Sequence, residues 1–181
     1  MKNCFIIHGS ESNNKAHWFP WLEDELSKKY IKVFNLNFPT PQNQCFETWQ
    51  EVLKEYIEYI NEETIFVCHS IAPAFVVKFC ITNGIKIGKL ISVCGFNCLI
   101  GGELDKINKT MFLEDITSFK YLCKSRICFY SDNDPYLKLE YCEKFAKDID
   151  AVSIIIKNGG HLNTDSGYTQ FPQILNQILG G

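Results

Sequence analysis

The chain lacks most of the features that assign a protein to a class at sight. No stretch approaches the roughly 18 apolar residues needed to cross a bilayer, and Met1 to His8 holds only a short apolar run leading straight into a turn, which is not a signal-peptide pattern. No G-x-G-x-x-G or G-x-x-x-x-G-K-[ST] follows any apolar run, which argues against dinucleotide and nucleoside triphosphate sites. No H-x-x-x-H pair exists to seed a zinc site, and none of the cysteines forms a C-x-x-C pair. No cofactor or metal is therefore expected. A strong charge imbalance is missing too. The formal net charge of -3 gives no pull toward nucleic acid or an anionic membrane, and the lysines sit beside acids, as in Glu23-Asp24-Glu25-Leu26-Ser27-Lys28-Lys29, where they form a solvated helix face.

What is present is the material of one soluble globular domain. A length of 181 residues, with 46% hydrophobic and 22% charged residues, suffices for a core without covalent staples. Nine cysteines are many, but Cys4, Cys68, Cys94 and Cys128 fall inside apolar runs, where a free thiol behaves as a small core residue. They read as reduced thiols in a cytoplasmic chain. No repeat, low-complexity tract or linker divides the sequence, so residues 1–181 form a single domain.

Short, apolar, β-branched runs alternate with longer amphipathic ones. The strand-like runs are Cys4–His8, Lys32–Leu36, Thr64–His69, Leu90–Cys94, Arg126–Ser131 and Val152–Ile156. Their near-continuous apolar character is that of a parallel sheet covered on both faces. Helix-like segments lie at about 16–29, 46–61, 71–83, 111–122, 137–148 and 168–179, and in the second Phe46, Trp49, Leu53, Tyr56, Ile57 and Ile60 recur at helical spacing. The stretches 37–44 and 95–110 read as loops. This alternation predicts a three-layer α/β/α sandwich with right-handed crossovers and a mostly parallel sheet of about six strands.

In such sheets the ligand site lies beyond the carboxyl ends of the strands, where the winding reverses. Those ends are His8-Gly9-Ser10, His69-Ser70-Ile71, Gly95-Phe96-Asn97, Asp132-Asn133-Asp134 and Gly159-Gly160-His161. A serine, an aspartate and a histidine stand at three of them, in the chain order of α/β-hydrolases. Ser70 sits between the strand Ile65 to His69 and the helix-like run from Ile71, a turn that exposes its hydroxyl and sets helical N–H groups beside it for an oxyanion. The elbow G-x-S-x-G appears here as Cys68-His69-Ser70-Ile71-Ala72, with both glycines replaced by small residues. Pro73 falls in the first helical turn, where its missing N–H is harmless, and leaves the Ile71 N–H as oxyanion donor. A plain N-cap is the other reading of Ser70.

His161 follows two glycines that free the backbone to turn sharply; the competing reading is a loop histidine capping the next helix. His17 lies in a helix start, and His8 and His69 end strands, where they shape the site. Asp132 and Asp134 both qualify by position as the acid that orients the histidine, while Asp/Asn-rich turn chemistry accounts for whichever is not used.

The chain resembles the small α/β-hydrolases of the retinoblastoma-binding and YdeN-like serine hydrolase family nearly end to end. The resemblance rests on Ile7-His8-Gly9, Trp18-Phe19-Pro20-Trp21-Leu22, Pro39-Thr40-Pro41, Trp49, His69-Ser70, Ser131-Asp132-Asn133-Asp134-Pro135 and Gly160-His161. It implies Ser70 as nucleophile, Asp134 as acid and His161 as base, on a lidless six-stranded version of the fold. It also implies hydrolysis of small esters or amides, and sets Trp18 and Trp21 near the mouth of the site. The family has Gly-His-Ser-x-Gly where this chain has Cys68, Ala72 and Pro73.

The leading expectation is a serine hydrolase, an esterase or related acyl hydrolase, whose oxyanion is held by the N–H groups of Ile71 and Ser10, with Gly9, His69 and Trp18 around the substrate. The alternative is a non-catalytic module on a hydrolase fold that binds a protein partner, since fold does not fix function. A flavodoxin-like or nucleotide-binding domain shares the fold class but lacks the glycine-rich phosphate loop.

Overall fold

The computed structural model describes residues 3–180. In chain order its elements are β1 (Asn3–Ile7), α1 (Phe19–Ser27), β2 (Lys32–Leu36), α2 (Phe46–Lys54), β3 (Ile65–His69), α3 (Ala72–Asn83) and β4 (Ile87–Val93). There follow the single turn α4 (Asp105–Asn108), β5 (Cys123–Ser131), α5 (Leu139–Asp148), β6 (Val152–Ile156) and α6 (Pro172–Leu179). All six strands are parallel, in the order β2-β1-β3-β4-β5-β6. The winding reverses at β1, so the crevice between the ends of β1 and β3 is where a ligand site forms.

Every residue of β1 and β3 is buried, as the continuous apolar runs require for strands covered on both faces. α1 and α6 share one face of the sheet, joined by Trp18 against Phe171. On the other face α2 meets α3 through Phe46 and Trp49 against Phe75. Gly95, at the end of β4, is flanked there by Pro73 of α3 and Phe145 of α5. Three layers result. β6, at the sheet edge, departs from the expectation of full coverage, with Val152 and Ile155 exposed.

Several expectations need correction. The helix expected over 46–61 ends at Lys54 and is followed by a 3-10 turn, Ile57–Tyr59. Residues 111–122 form no α-helix, but two 3-10 turns, Lys109–Met111 and Thr117–Tyr121. Lys78 Nζ donates to the carbonyls of Thr110 and Phe112, the Asn97 side chain bridges both backbone groups of Leu113, and Asp115 Oδ1 accepts from Thr117 N–H to start a new turn. These bonds compete with the helical ladder and win. The stretch 95–110, expected to be loop throughout, contains α4. β4 and β5 also start earlier than their apolar runs, because Ile87-Gly88-Lys89 and Cys123-Lys124-Ser125 pair across the ladder despite their polar residues.

No helix among the described residues is long and apolar enough to cross a membrane. All nine cysteines are free thiols, seven of them buried. Phe75 lies at the junction of α2, α3 and the strand ends, in ring contact with Phe38, Phe46, Trp49 and Phe79. Phe75→Ala is expected to lower unfolding stability by about 3–5 kcal/mol, read from urea denaturation with an unchanged m-value.

Candidate active site

Pairing across the sheet aligns Ile7, Cys68, Ser92 and Cys128 in one row. The residues just beyond that row therefore emerge at one level: His8-Gly9 from β1, Ser70 from β3 and Cys94 from β4. β5 and β6 run on, with Tyr130 and Ser131 paired to Ile155 and Ile156, so the segments carrying Asp134 and His161 stand above the floor formed by the other strands.

Ser70 holds φ +61°, a left-handed conformation that is costly for a non-glycine residue and recurs at functional turns. Its N–H donates to Val93 O at 2.8 Å, which fixes the turn to β4. Gly9 faces it: a Cβ on Gly9 would lie 2.8 Å from Ser70 Cβ. Only glycine admits that approach. Cys68 and Ala72 fit their elbow positions as fully buried small side chains, and Pro73 occupies the first turn of α3. The backbone N–H groups of Ser10 and Ile71 donate to no acceptor among the described residues.

The histidine loop is attached to the end of β5 residue by residue. Asp132 Oδ1 accepts from Asn158 N–H at 2.7 Å, Ser131 Oγ from Gly159 N–H at 2.9 Å, and Asn133 Oδ1 from Gly160 N–H at 2.8 Å. Asp134 Oδ2 then meets His161 Nδ1 at 2.6 Å. The two aspartates, equivalent by sequence position, thus have different partners. Asp134, with its side chain 2% exposed, also accepts from the N–H groups of Tyr136 and Leu137 at 2.8 and 3.1 Å. Charge-assisted bonds of this kind offset the cost of sealing a carboxylate from water. Gly160 has φ +59°, which the sharp turn before His161 requires.

The remaining histidines brace this arrangement. His69 Nε2 donates to His161 O at 2.9 Å, holding the backbone of the loop from below. His8 accepts from Phe38 N–H at Nε2 (2.9 Å), leaving Nδ1–H to donate to Gly9 O at 2.7 Å. Burial, and then the His161 and His17 charges nearby, hold His69 well below the usual imidazole pKa, and burial lowers His8 as well. His17 is not within the first helix but precedes it, at φ +53°. Its Nδ1 accepts from Thr164 N–H at 3.2 Å, and burial followed by the His161 charge lowers its pKa too.

A cavity of about 390 Å³ opens over Ser70 and His161. Phe96, Ile100, Leu104 and Leu137 are among its apolar lining, and Ser10 and His17 among its polar lining. Gly9, Ser10 and His69 border it as the sequence suggests. Trp18 does not. It is fully buried, and its Nε1 donates to Leu162 O at 3.0 Å behind the histidine loop, so its role is to support the site and not to line it. The sequence reading also missed Ser131, Asn133 and Asn108, whose contacts cross 27 to 98 residues of chain. A second cavity of about 390 Å³ lies at the amino ends of β4 and β5 among Lys86, Lys120, Lys124 and Arg126; it holds no nucleophile–base pair.

His69, Cys94 and His161 form a buried cluster with ligand atoms within 4.8 Å. Both rings already use a nitrogen, on His161 O and on Asp134, and burial together with the Asp134 carboxylate pushes the Cys94 thiol well above its ordinary pKa. To hold a metal the Cys94 thiol would have to ionise in an apolar setting beside the Asp134 carboxylate, which makes it a poor donor.

The architecture is that of the α/β-hydrolases. A family model described as serine hydrolase matches residues 4–179, and the chain belongs to that family. It is 29% identical over 178 residues to the YdeN protein of Bacillus subtilis (strain 168), covering 94% of this chain and 91% of that one. The crystal structure of the B. subtilis ydeN gene product superposes with a TM-score of 0.90 at 27% identity over the full length of both chains. Est1E from Butyrivibrio proteoclasticus shares the fold at a TM-score of 0.72 and 11% identity, over 99% of this chain and 89% of that one. An extracellular α/β-hydrolase from a Paenibacillus species does so at 0.66 and 13%, over 99% and 98%.

Two outcomes follow from this geometry. Gly9→Ala is expected to leave the fold intact by circular dichroism while displacing Ser70, and a shift near 1 Å would lower about a hundredfold any turnover that uses that hydroxyl. His69 folds uncharged, with its pKa below the value of 6.5 that an unburied imidazole has, so the unfolded chain binds more protons in acid. Its contribution to stability is complete above pH 6.5 and is lost as pH falls from there toward the folded-state pKa. The decline of Tm between about pH 7.5 and pH 5 should be shallower in His69→Gln than in the parent.

Proposed function

We propose that the chain is a serine acyl hydrolase that cleaves small esters or amides through an acyl-enzyme on Ser70, with Asp134 and His161 completing a catalytic triad. The observation that carries this reading is the left-handed Ser70 at the winding reversal of the sheet, on the same cavity as an imidazole whose Nδ1 is held by Asp134 at 2.6 Å. That bond fixes the tautomer with Nε2 as the free base.

In the proposed cycle Ser70 Oγ attacks the substrate carbonyl carbon, and its proton passes to His161 Nε2. The Asp134 carboxylate stabilises the imidazolium without taking its proton. Negative charge develops on the carbonyl oxygen, where the free N–H groups of Ile71 and Ser10 stabilise it. The carbon–oxygen or carbon–nitrogen bond then breaks, and the leaving group takes the proton from His161. Water, deprotonated by His161, attacks the acyl-enzyme and releases the acid while Ser70 regains its proton. No cofactor takes part. A cavity of about 390 Å³ with a partly apolar lining supports a compact substrate. Nine unpaired thiols support a reducing, cytoplasmic setting.

Fluorophosphonate labelling with intact mass as readout tests this reading. One adduct is expected on the parent protein and none on Ser70→Ala, with ester turnover falling by roughly three to six orders of magnitude in Ser70→Ala or His161→Ala. Asp134→Asn should lose on the order of ten-thousandfold in kcat. Absence of an adduct on folded protein would overturn the proposal and favour the protein-binding module instead.

A further inference from the structure

Asn108, at the end of α4, is 2% exposed yet borders the cavity over Ser70. Its carboxamide is held by side chains from two other segments. Ser10 Oγ donates to Asn108 Oδ1 at 2.7 Å and Gln44 Nε2 donates to the same atom at 2.6 Å. Gln44 Nε2 also donates to Ser10 Oγ at 2.8 Å, while Gln44 Oε1 accepts from Thr40 Oγ at 2.5 Å. Thr40 Oγ in turn accepts from Glu11 N–H at 2.7 Å.

This chain of bonds has one favourable direction. Reversing both amides would give Gln44 Nε2 the Thr40 hydroxyl oxygen as its one partner and leave its second N–H unpaired on a buried side chain. In the observed direction both lone pairs of Asn108 Oδ1 are filled, and its Nδ2 donates to nothing among the described residues. Only Asn35 Oδ1 and Ser92 Oγ there are both sealed from solvent and unbonded. The Asn108 Nδ2 group is therefore open to the cavity. A rigidly held donor on a residue only 2% exposed, with no protein partner and open to the cavity, is the arrangement of a ligand contact.

The charge of the cavity narrows what that donor meets. Glu11 and Asp165 line it, and no lysine or arginine does, which disfavours an anionic substrate. We propose that Asn108 is a substrate-binding residue whose Nδ2 donates to an uncharged second oxygen (ether or hydroxyl) carried by the ester or amide apart from the scissile carbonyl. This deepens the hydrolase reading and rests on it for turnover. It makes the preferred substrates small oxygenated esters or amides in place of plain alkyl ones.

The test compares p-nitrophenyl methoxyacetate, methoxypropanoate and methoxybutanoate with all-carbon esters of equal length, and methoxyethyl with butyl esters, on the parent protein and on Asn108→Asp. That substitution is isosteric, keeps an oxygen to accept from Ser10 and Gln44, and replaces the Nδ2 donor by an acceptor. Taking the ratio of kcat/KM within each pair cancels any general effect of the new charge on His161. The oxygenated-to-plain ratio is expected to fall about tenfold or more in Asn108→Asp for at least one pair. Equal losses for both members of every pair, or none, would overturn the proposal and leave Asn108 a structural residue. If no ester in this set turns over on the parent, the hydrolase reading is decided separately by fluorophosphonate labelling, and Asn108 is judged by binding. Its side-chain amide resonance should shift on titration with methoxypentanone and not with heptanone, and the same response to both would overturn the proposal.

Discussion

The site depends above all on the register between residues 131–134 and 158–161. Side chains of Ser131, Asp132 and Asn133 take the backbone N–H groups of Gly159, Asn158 and Gly160, and Asp134 takes the His161 ring. Each bond alone contributes about 1 kcal/mol net. Together they convert the flexible Gly159-Gly160 turn into a fixed support. Sliding the loop by one residue would break all four and strand a carboxylate that is sealed from water, so the penalty for misplacing His161 far exceeds any single contact.

Around that support, left-handed backbone collects at the carboxyl ends of the strands. Ser70, Cys94 and Leu162 all have φ between 50° and 61°, and His17 and Glu11 on the facing loop have φ 53°. Each such residue costs on the order of 1–3 kcal/mol. The cost is sustained by an uninterrupted core beneath, in which β1 and β3 are wholly buried and so are eight of the twelve residues of α3. Stability stored in the sheet is thereby used to aim side chains upward, and the site is rigid because its base is overdetermined.

Much of this was legible in the sequence because it is carried by local pattern. Six apolar runs gave six parallel strands, and the order of Ser70, Asp134 and His161 at strand ends needed no distances. Side-chain competition for backbone groups was not legible. The helical pattern in 111–122 is broken by Lys78 and Asn97, both distant in sequence, and locally only by the Asp115–Thr117 turn. Trp18 illustrates the same limit: an aromatic beside a loop can line a mouth or prop a wall, and only its bond to Leu162 O decides. By position Asp132 and Asp134 looked alike; the family resemblance favoured Asp134, and their different partners separate them. Gln44 and Asn108 had no signal at all, since a buried amide network is a property of three segments at once.

The replaced glycines of the elbow follow from the same geometry. A nucleophile turn needs glycine only where another backbone must approach the serine closely. Here the closest approach comes from β1, where a Cβ on Gly9 would stand 2.8 Å from Ser70 Cβ. Further along the floor, Gly95 admits Pro73 and Phe145 in the same way. With those two positions kept free of side chains, Cys68 and Ala72 lie fully buried in ordinary core surroundings. The left-handed strain falls on Ser70 itself, whose N–H is held by Val93 O. The steric requirement of the elbow is thus a requirement on the space around Ser70, and this chain meets it from the neighbouring strands and not from the motif.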